Sequence, residues 1–342
     1  MRVFGVADGD LRPLAGKTIA FVGYGNQGRA QALNLRDSLR GAYLDSVRII
    51  ASTLHDETLD HAQADGLPVL PAPEAAEAAD VLFLLVPDEE LPGLFRTEIA
   101  PHLKPKDALV FASGYNLAFD GLDLPNNVDV LMLAPRMIGR HVRSLFEQGR
   151  GFYSYVAVEQ DASGQAWPLL LALAKGIGTL GPGGGAFELS ARNEAVIDLY
   201  MEQGFGALFG SLVFQTLATA IEAGLPPEAM VLELYLSGEM AETMHAMADL
   251  GFAEQSRLHS RTSQYGGMMG TLSIDREPIR QHLKRALERI TNGDFVREWT
   301  AEQATGCENF EKLRDLGASH NPFTPIEQRI RDALREAQAR NR

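Results

Sequence analysis

Short runs of β-branched and aliphatic residues recur through the first 180 positions, separated by amphipathic stretches. Thr18–Val22, Val47–Ala51, Val81–Val86, Ala108–Ala112, Val128–Leu133 and Tyr153–Val158 read as strands, because short continuous apolar runs suit a sheet buried on both faces. Gly28–Arg40, Glu57–Asp65 and Glu90–Ile99 carry helical patterns between them. Alternation at this spacing predicts an α/β fold, a doubly wound parallel sheet of the Rossmann type over residues 1–180. The texture then changes. GPGGGAF (Gly181–Phe187) reads as a flexible joint. Beyond it the pattern predicts no strand and an all-α domain over residues 181–342. Its helices are Asn193–Ala223, Pro227–Leu250, Pro278–Thr291, Phe295–Thr305 and Pro325–Arg340.

Composition narrows the classes. The chain has 342 residues, with 31 Lys and Arg against 45 Asp and Glu, a net charge of −14. That balance argues against a nucleic-acid partner, which needs clustered cations. The single cysteine, Cys307, cannot form an internal disulfide and suits a reducing compartment. The N-terminal MRVFGVADGD lacks the plan of a secretory signal. Apolar runs such as Val81–Val86 fall far short of the roughly 20 residues a membrane span needs. A cytoplasmic protein with no membrane partner is expected.

The first predicted strand runs into KTIAFVGYGNQGRAQAL, which sets Gly23, Gly25 and Gly28 in a G-x-G-x-x-G pattern at the start of a helix. The first glycine permits the tight turn, the second lets backbone approach a pyrophosphate, and the third lets helix pack on strand. A plain strand–turn–helix is the bland alternative. The second strand ends in Ala51, Ser52 and Thr53, followed by Leu54, His55, Asp56 and Glu57, with no Lys or Arg between Ser52 and Phe95. A 2′-phosphate normally needs such a cation, whereas Asp56 or Glu57 can accept from a ribose hydroxyl, so NAD(H) is favoured slightly over NADP(H). Both acids also suit the start of the next helix.

Asp198 and Glu202 are four apart in EAVIDLYMEQ, which sets them on one face of a helix, and Glu239 sits on the next long helix. Two helices that offer carboxylates make a site suited to Mg²⁺. Between Glu188 and Glu254 eleven acids face one base, Arg192. A solvated acidic surface explains the same pattern.

The chain resembles the ketol-acid reductoisomerase family, short bacterial type, from end to end. The resemblance rests on GYGNQGRAQALNLRDS (Gly23–Ser38), LLVPDEE (Leu84–Glu90), FASGYN (Phe111–Asn116), APRMIGRHVR (Ala134–Arg143) and EQDASGQA (Glu159–Ala166). It continues through ALAKGIG (Ala172–Gly178), DLYMEQ (Asp198–Gln203), SQYGG (Ser263–Gly267) and Asn292–Gln303. It implies a nicotinamide cofactor, two Mg²⁺ ions, and an alkyl shift in a 2-hydroxy-2-methyl-3-keto acid followed by hydride reduction. Tyr24, Gly25, Asn26 and Gln27 match the family's cofactor loop, and Asp88, Glu89 and Gly139 match further cofactor contacts. Ser52, Pro87 and Gly114 complete the candidate cofactor set. Asp198 and Glu202 match the first pair of metal carboxylates, Glu239 matches one of the second pair, and Ser260 matches a substrate-contacting serine.

Three positions depart from the family pattern. Ser113 stands in place of an active-site histidine, Arg136 in place of a lysine, and Tyr235 in place of the second-pair glutamate. Thr53 and Asp56 stand where 2′-phosphate contacts are expected. A lost carboxylate weakens the hold on a second dication, Arg136 cannot give up a proton, and Ser113 cannot act as an imidazole. The reading that follows is an NAD(P)H-dependent oxidoreductase acting on a small carbonyl or imine substrate, carboxylate-bearing because of Arg136, with alkyl migration altered or lost. Ser113, Arg136, Glu202, Glu239 and Ser260 are its candidate catalytic residues, and Asp198, Glu202 and Glu239 hydrogen-bond the substrate or hold one Mg²⁺ at most if Tyr235 is not a ligand. The alternatives are an authentic reductoisomerase and a non-catalytic nucleotide-binding homologue. The resemblance also implies a homodimer or higher homo-oligomer formed through the helical half, with Glu239 and Ser260 reaching the site formed by the partner's Asp198, and the uncharged stretch Phe205–Ala220 is compatible with burial there.

Overall fold

The computed structural model describes residues 1–340 apart from His55, Asp120 and His320. His55, in the segment read for cofactor choice, therefore lies outside the described residues. The chain divides into two compact units, Met1–Asp198 and Leu199–Arg342.

The first unit is built on an eight-stranded sheet. Its strands are β1 (Val3–Phe4), β2 (Thr18–Val22), β3 (Arg48–Ser52), β4 (Val81–Leu84), β5 (Ala108–Phe111), β6 (Asp129–Pro135), β7 (Tyr153–Gln160) and β8 (Gly185–Glu188), in the order β1-β8-β7-β6-β5-β4-β2-β3. Strands β3, β2, β4, β5 and β6 run parallel. The alternation expected from apolar runs is thus present, at nearly the expected residues.

Two features differ from the expectation. Strand β7 runs antiparallel to β6, so the sheet is mixed. The helix between them, Gly139–Glu147, has nine residues, about 13 Å, while β6 spans about 23 Å, too far for that helix to return the chain to the start of β6. The glycine-rich segment is also no loose joint, since Gly185–Glu188 pairs with both β7 and β1. A Cβ on Gly184 would lie 2.3 Å from the Thr179 carbonyl oxygen and 2.5 Å from the Phe152 nitrogen, so glycine there serves close backbone packing.

Helices α1 (Asn26–Gly41), α2 (Glu57–Ala64), α3 (Ala72–Ala78), α4 (Gly139–Glu147) and α5 (Ala166–Ile177) surround the sheet. Alternate residues of β2 enter different cores. Ile19 and Phe21 join Leu35, Phe83 and Leu173, while Ala20 and Val22 join Leu82, Phe95 and Phe111. Phe21 and Phe83 stack at 4.5 Å. Buried Asn34 of α1 donates to the Val142 and Ile177 carbonyls at 3.2 and 2.9 Å, tying α1 to α4 and α5. Strand β2 lies between β3 and β4. This reversal of strand order opens a crevice at the carboxyl ends of the strands, where such folds bind ligands.

Helix α6 (Ala191–Tyr200) carries the chain from the first unit into the second, which is helical. It contains α7 (Ala207–Glu222), α8 (Pro227–Val231), α9 (Glu239–Leu250), α10 (Arg261–Ser273), α11 (Glu277–Thr291), α12 (Asp294–Ala304), α13 (Glu308–Ser319) and α14 (Phe323–Ala339). The helix expected over Pro227–Leu250 is broken: π-helical Leu232–Leu236 precedes Gly238, whose φ of +85° ends the regular run. Helices α10 and α13 were not anticipated. Gly266, Gly267 and Gly270 lower the helical signal of α10. The run Ala191–Glu222 is long and apolar enough to cross a membrane by length and composition alone. Interspersed Asn193, Gln203 and Gln215 conceal it from a search for uninterrupted apolar runs.

Candidate functional site

Strand β2 delivers the chain into the glycine loop. Gly23 donates its N–H to the Ser52 carbonyl at 2.8 Å and adopts φ +98°, which favours glycine. A Cβ on Gly28 would lie 2.0 Å from the Gly23 oxygen, which is the helix–strand contact the third glycine permits. Gly25 differs from both, because nothing lies within 4 Å of the place a Cβ would take. It caps α1, whose first turn holds no acid and receives no side-chain cap, so the leading N–H groups of the helix are left to a ligand or solvent. This cradle fits the pyrophosphate of a dinucleotide.

Two cavities flank the loop. One, of about 410 Å³, is lined by Gly25, Asn26, Gln27, Pro87, Asp88 and Ser113 among others. The second, of about 670 Å³, lies beside α1, α2 and α4 and includes Tyr24, Arg29, Thr58, Asp65, Gly139 and Arg140. Several expected cofactor residues shape the loop through their side chains. Tyr24 is buried and donates its hydroxyl to Asp65 at 3.0 Å, and burial together with that carboxylate pushes its own pKa up. Burial alone would raise Asp65, yet Arg29 at 2.7 Å and Tyr24 hold it below the usual range. Gln27 donates to the Met137 carbonyl at 2.8 Å. A Cβ on Gly139 would lie 1.9 Å from the Asn26 oxygen, so this glycine lets α4 abut α1.

Asp88 accepts from buried Asn116 at 3.0 Å through its side chain. Glu89 is exposed and lines neither cavity. Asp56, expected as a ribose acceptor, caps α2 by accepting from the Thr58 N–H at 2.9 Å and its hydroxyl at 2.5 Å. These bonds hold its carboxyl below the ordinary range. Thr53 hydrogen-bonds Thr58 through their hydroxyls.

Basic residues reach this region from outside the segment searched in the sequence. Arg29, Arg36, Arg140 and Arg143 all line the larger cavity. Arg29 pairs with Asp65, Arg36 with Asp37, and Arg143 with both Asp37 and Glu147.

The carboxyl ends of β5 and β6 carry a second constellation. The Ser113 oxygen accepts from the Tyr115 N–H at 3.2 Å, while Gly114 donates its N–H to Glu194 at 2.7 Å. A Cβ on Gly114 would meet the Ala191 oxygen at 2.1 Å, so this residue packs against α6 and has no amide left for a cofactor. Glu194 is 1% exposed. It accepts from Arg136 Nη1 at 2.7 Å, and Arg136 Nη2 pairs closely with Asp198. The guanidinium also lies 5.1 Å from the centre of the Tyr155 ring. Burial raises the Glu194 carboxyl to about 7, against the pull of the Gly114 amide and Arg136. Glu194 escaped the sequence reading, although it lies four residues before Asp198 on the same helical face.

The remaining candidates belong to the second unit. Glu202 falls in a π-helical turn, Met201–Gly206. Glu239 is exposed at the first residue of α9. Ser260 caps α10 by accepting from the Ser263 N–H at 3.2 Å. Tyr235 donates its hydroxyl to Glu327 of α14 at 2.5 Å, and burial and that carboxylate push its pKa up to about 12. Among the described residues no three His, Cys, Asp or Glu side chains converge as metal ligands. Asp198 shares its carboxylate with a guanidinium and Tyr235 has none to offer, so neither residue supplies the free carboxylate that a two-cation centre would take from it.

A Rossmann-type sheet with an open glycine cradle, followed by a helical unit, defines the class of nicotinamide-dependent oxidoreductases. Residues 13–183 match the family "Acetohydroxy acid isomeroreductase, NADPH-binding domain", and residues 192–336 match "Ketol-acid reductoisomerase, C-terminal domain". The chain belongs to the ketol-acid reductoisomerase family. A Saccharolobus solfataricus protein that carries the name ketol-acid reductoisomerase 3 provisionally is 40% identical over 91% of this chain and 92% of its own. Ketol-acid reductoisomerase (NADP(+)) of Methanopyrus kandleri is 35% identical over 97% and 98%. The solved structure of an NADH-preferring ketol-acid reductoisomerase from an uncultured archean superimposes with a TM-score of 0.87 at 32% identity, covering 97% and 99%.

Proposed function

We propose that this family member is an NADH-dependent reductase of a small carbonyl or imine substrate in which alkyl migration is altered or lost. The supporting observation is the bridging of Arg136 between Glu194 and Asp198, at a position where the family pattern has a lysine. The nicotinamide, when bound, supplies the hydride. Helix α1 binds the pyrophosphate through its leading N–H groups. Ser113 lines the smaller cavity, and its hydroxyl proton is available to donate to a substrate oxygen. Arg136 uses two of its five N–H groups on the carboxylates and presents the rest in a fixed orientation. Its charge is already met, so it no longer argues for a carboxylate on the substrate.

NADH is favoured because Thr53 and Asp56 leave the loop after β3 without a cation. Arg29, Arg36 and Arg143 nearby are each paired with acids, which leaves Arg140, on α4 and not on this loop, as the lining arginine with no ion pair among the described residues. A second copy of the chain is the proposed partner, seated on exposed apolar side chains such as Leu212, Tyr265, Met268 and Leu272. A reducing, cytoplasmic setting suits the single cysteine.

The end-to-end likeness to named reductoisomerases favours a second reading, the authentic isomerisation and reduction of 2-acetolactate. Oxidation of NADH and NADPH decides between them, measured with 2-acetolactate and with simple 2-keto acids, with and without Mg²⁺. Reduction of keto acids without turnover of 2-acetolactate is the expected result. Mg²⁺-dependent turnover of 2-acetolactate at ordinary enzyme rates overturns the proposal. Cofactor binding with no turnover of any substrate identifies a non-catalytic homologue.

A further inference from the structure

We propose that Arg136 is a built-in cation that occupies the metal-facing carboxylate of this site, so that Asp198 does not ligate a divalent ion in this chain. The guanidinium is held from three sides. Glu194 accepts from Nη1 at 2.7 Å, Asp198 accepts from Nη2, and the Tyr155 ring lies 5.1 Å away. Glu194 is itself fixed, because it is 1% exposed and its other oxygen accepts from the Gly114 N–H at 2.7 Å. Both of its oxygens therefore already accept hydrogen bonds in a buried setting. The Asp198 side chain is 43% exposed and Arg136 only 29%, so solvent reaches the acid more readily than the base that pairs with it.

Arginine suits this role where lysine does not. Its planar fork reaches two carboxylates with separate nitrogens and stays protonated at every working pH. An ammonium is a single point charge on a flexible stem, able to turn aside for an incoming ion. A dication at Asp198 would share its carboxylate with a charge-assisted hydrogen bond and sit beside a positive charge that cannot leave. The inference concerns the same site as the reductase reading, and it deepens that reading by naming what stands in the metal's place.

Mn²⁺ titration of the full chain, followed by the electron paramagnetic resonance of the free ion, tests it. Wild type and D198N are expected to bind Mn²⁺ within about twofold of each other, because Asp198 is not a ligand. R136A, which frees the acid pair, is expected to bind at least about tenfold more tightly, and R136A/D198N to lose that gain. R136K, which preserves the charge and most of the bulk, serves if R136A fails to fold, and it too is expected to bind more tightly than wild type. A tenfold or greater weakening by D198N alone overturns the proposal. So does the absence of any gain in folded R136A or R136K. The expected Mn²⁺ pattern in a protein that reduces no carbonyl supports this proposal and overturns only the reductase reading.

Discussion

The two units differ in how they dispose of apolar surface. In the N-terminal unit the strands β2, β4, β5 and β6 are almost wholly buried, and both faces of the sheet are covered. In the helical unit only Leu217, Ala220, Val231, Ile290 and Ile326 are buried hydrophobics among the described residues. Phe252, Leu258, Tyr265, Met268 and Leu272 are each at least 60% exposed. Exposed apolar area of this kind is what a protein contact covers, and it is the surface on which the proposed second copy would sit. The first unit buries its apolar side chains, while the second exposes many of its own. Glu202, Glu239 and Ser260 lie on that more exposed half.

Breaking the proposed partnership should have the largest effect. Met268→Asp with Leu272→Asp places two charges on the exposed face of α10, and light scattering is expected to show a monomer. An unchanged assembly would mean that α10 is not the contact. In the N-terminal unit the corresponding weak point is internal. Gly139→Val forces a side chain onto the Asn26 carbonyl, which a Cβ would approach to 1.9 Å. The strain should cost about 2–4 kcal/mol and weaken NADH binding at least about tenfold, as fluorescence titration would show. Unchanged binding would show that α4 moves freely from α1.

The pH dependence of stability sharpens the comparison, because among the described residues the carboxyls that burial shifts upward lie in the first unit. Glu194 titrates at about 7 in the fold against an ordinary 4.5. Below pH 4.5 both states hold the proton, and the stability is fully present. As pH rises the unfolded chain releases its proton first, so stability falls until the folded group also ionises near 7. The loss is at most about 3 kcal/mol. Trp167 lies in the first unit and Trp299 in the second. With Trp299→Phe as background, urea midpoints read from Trp167 should decline from pH 4.5 to 7, and Glu194→Gln should flatten the decline. A decline that persists in Glu194→Gln assigns it to another group.

The same contrast explains what was legible in the sequence. Strand positions were, because β2 to β6 are continuous apolar runs whose burial depends on local composition. The direction of β7 was not, since it depends on the length of α4 relative to β6. The glycines of Gly181–Gly184 look like flexibility in one dimension, yet Gly184 packs against Thr179 and Phe152 in three. The glycine loop was legible because its chemistry is local. Arg136, Glu194 and Asp198 were not read as one group, since Arg136 lies far from both acids along the chain and the bridge exists only once β6 and α6 are in place. The arginines of the larger cavity were missed for a similar reason, as they arrive on α1 and α4 and not on the loop after β3.

Tyr235 makes the smallest test, and it bears on the helical unit alone. Had a glutamate stood there, its charge would face Glu327, whose oxygen lies 2.5 Å from the tyrosine hydroxyl. Tyrosine turns that repulsion into a hydrogen bond that joins the segment Leu232–Leu236 to α14. Tyr235→Phe keeps the ring and removes the bond, so a loss of about 1 kcal/mol is expected at neutral pH. The contribution has a sign in pH as well. The hydroxyl titrates at about 12 in the fold against 10.0 ordinarily, so its stabilisation is fully present below pH 10 and disappears as pH passes 12. The urea midpoints of wild type and Tyr235→Phe, read from Trp299 in a Trp167→Phe background, should therefore differ at pH 8 and converge at the alkaline limit. Equal midpoints at pH 8 would show that Tyr235 is not a strut between these helices. Tyr235→Glu extends the test, since it restores the family's charge beside Glu327 and should destabilise the unit more than phenylalanine does.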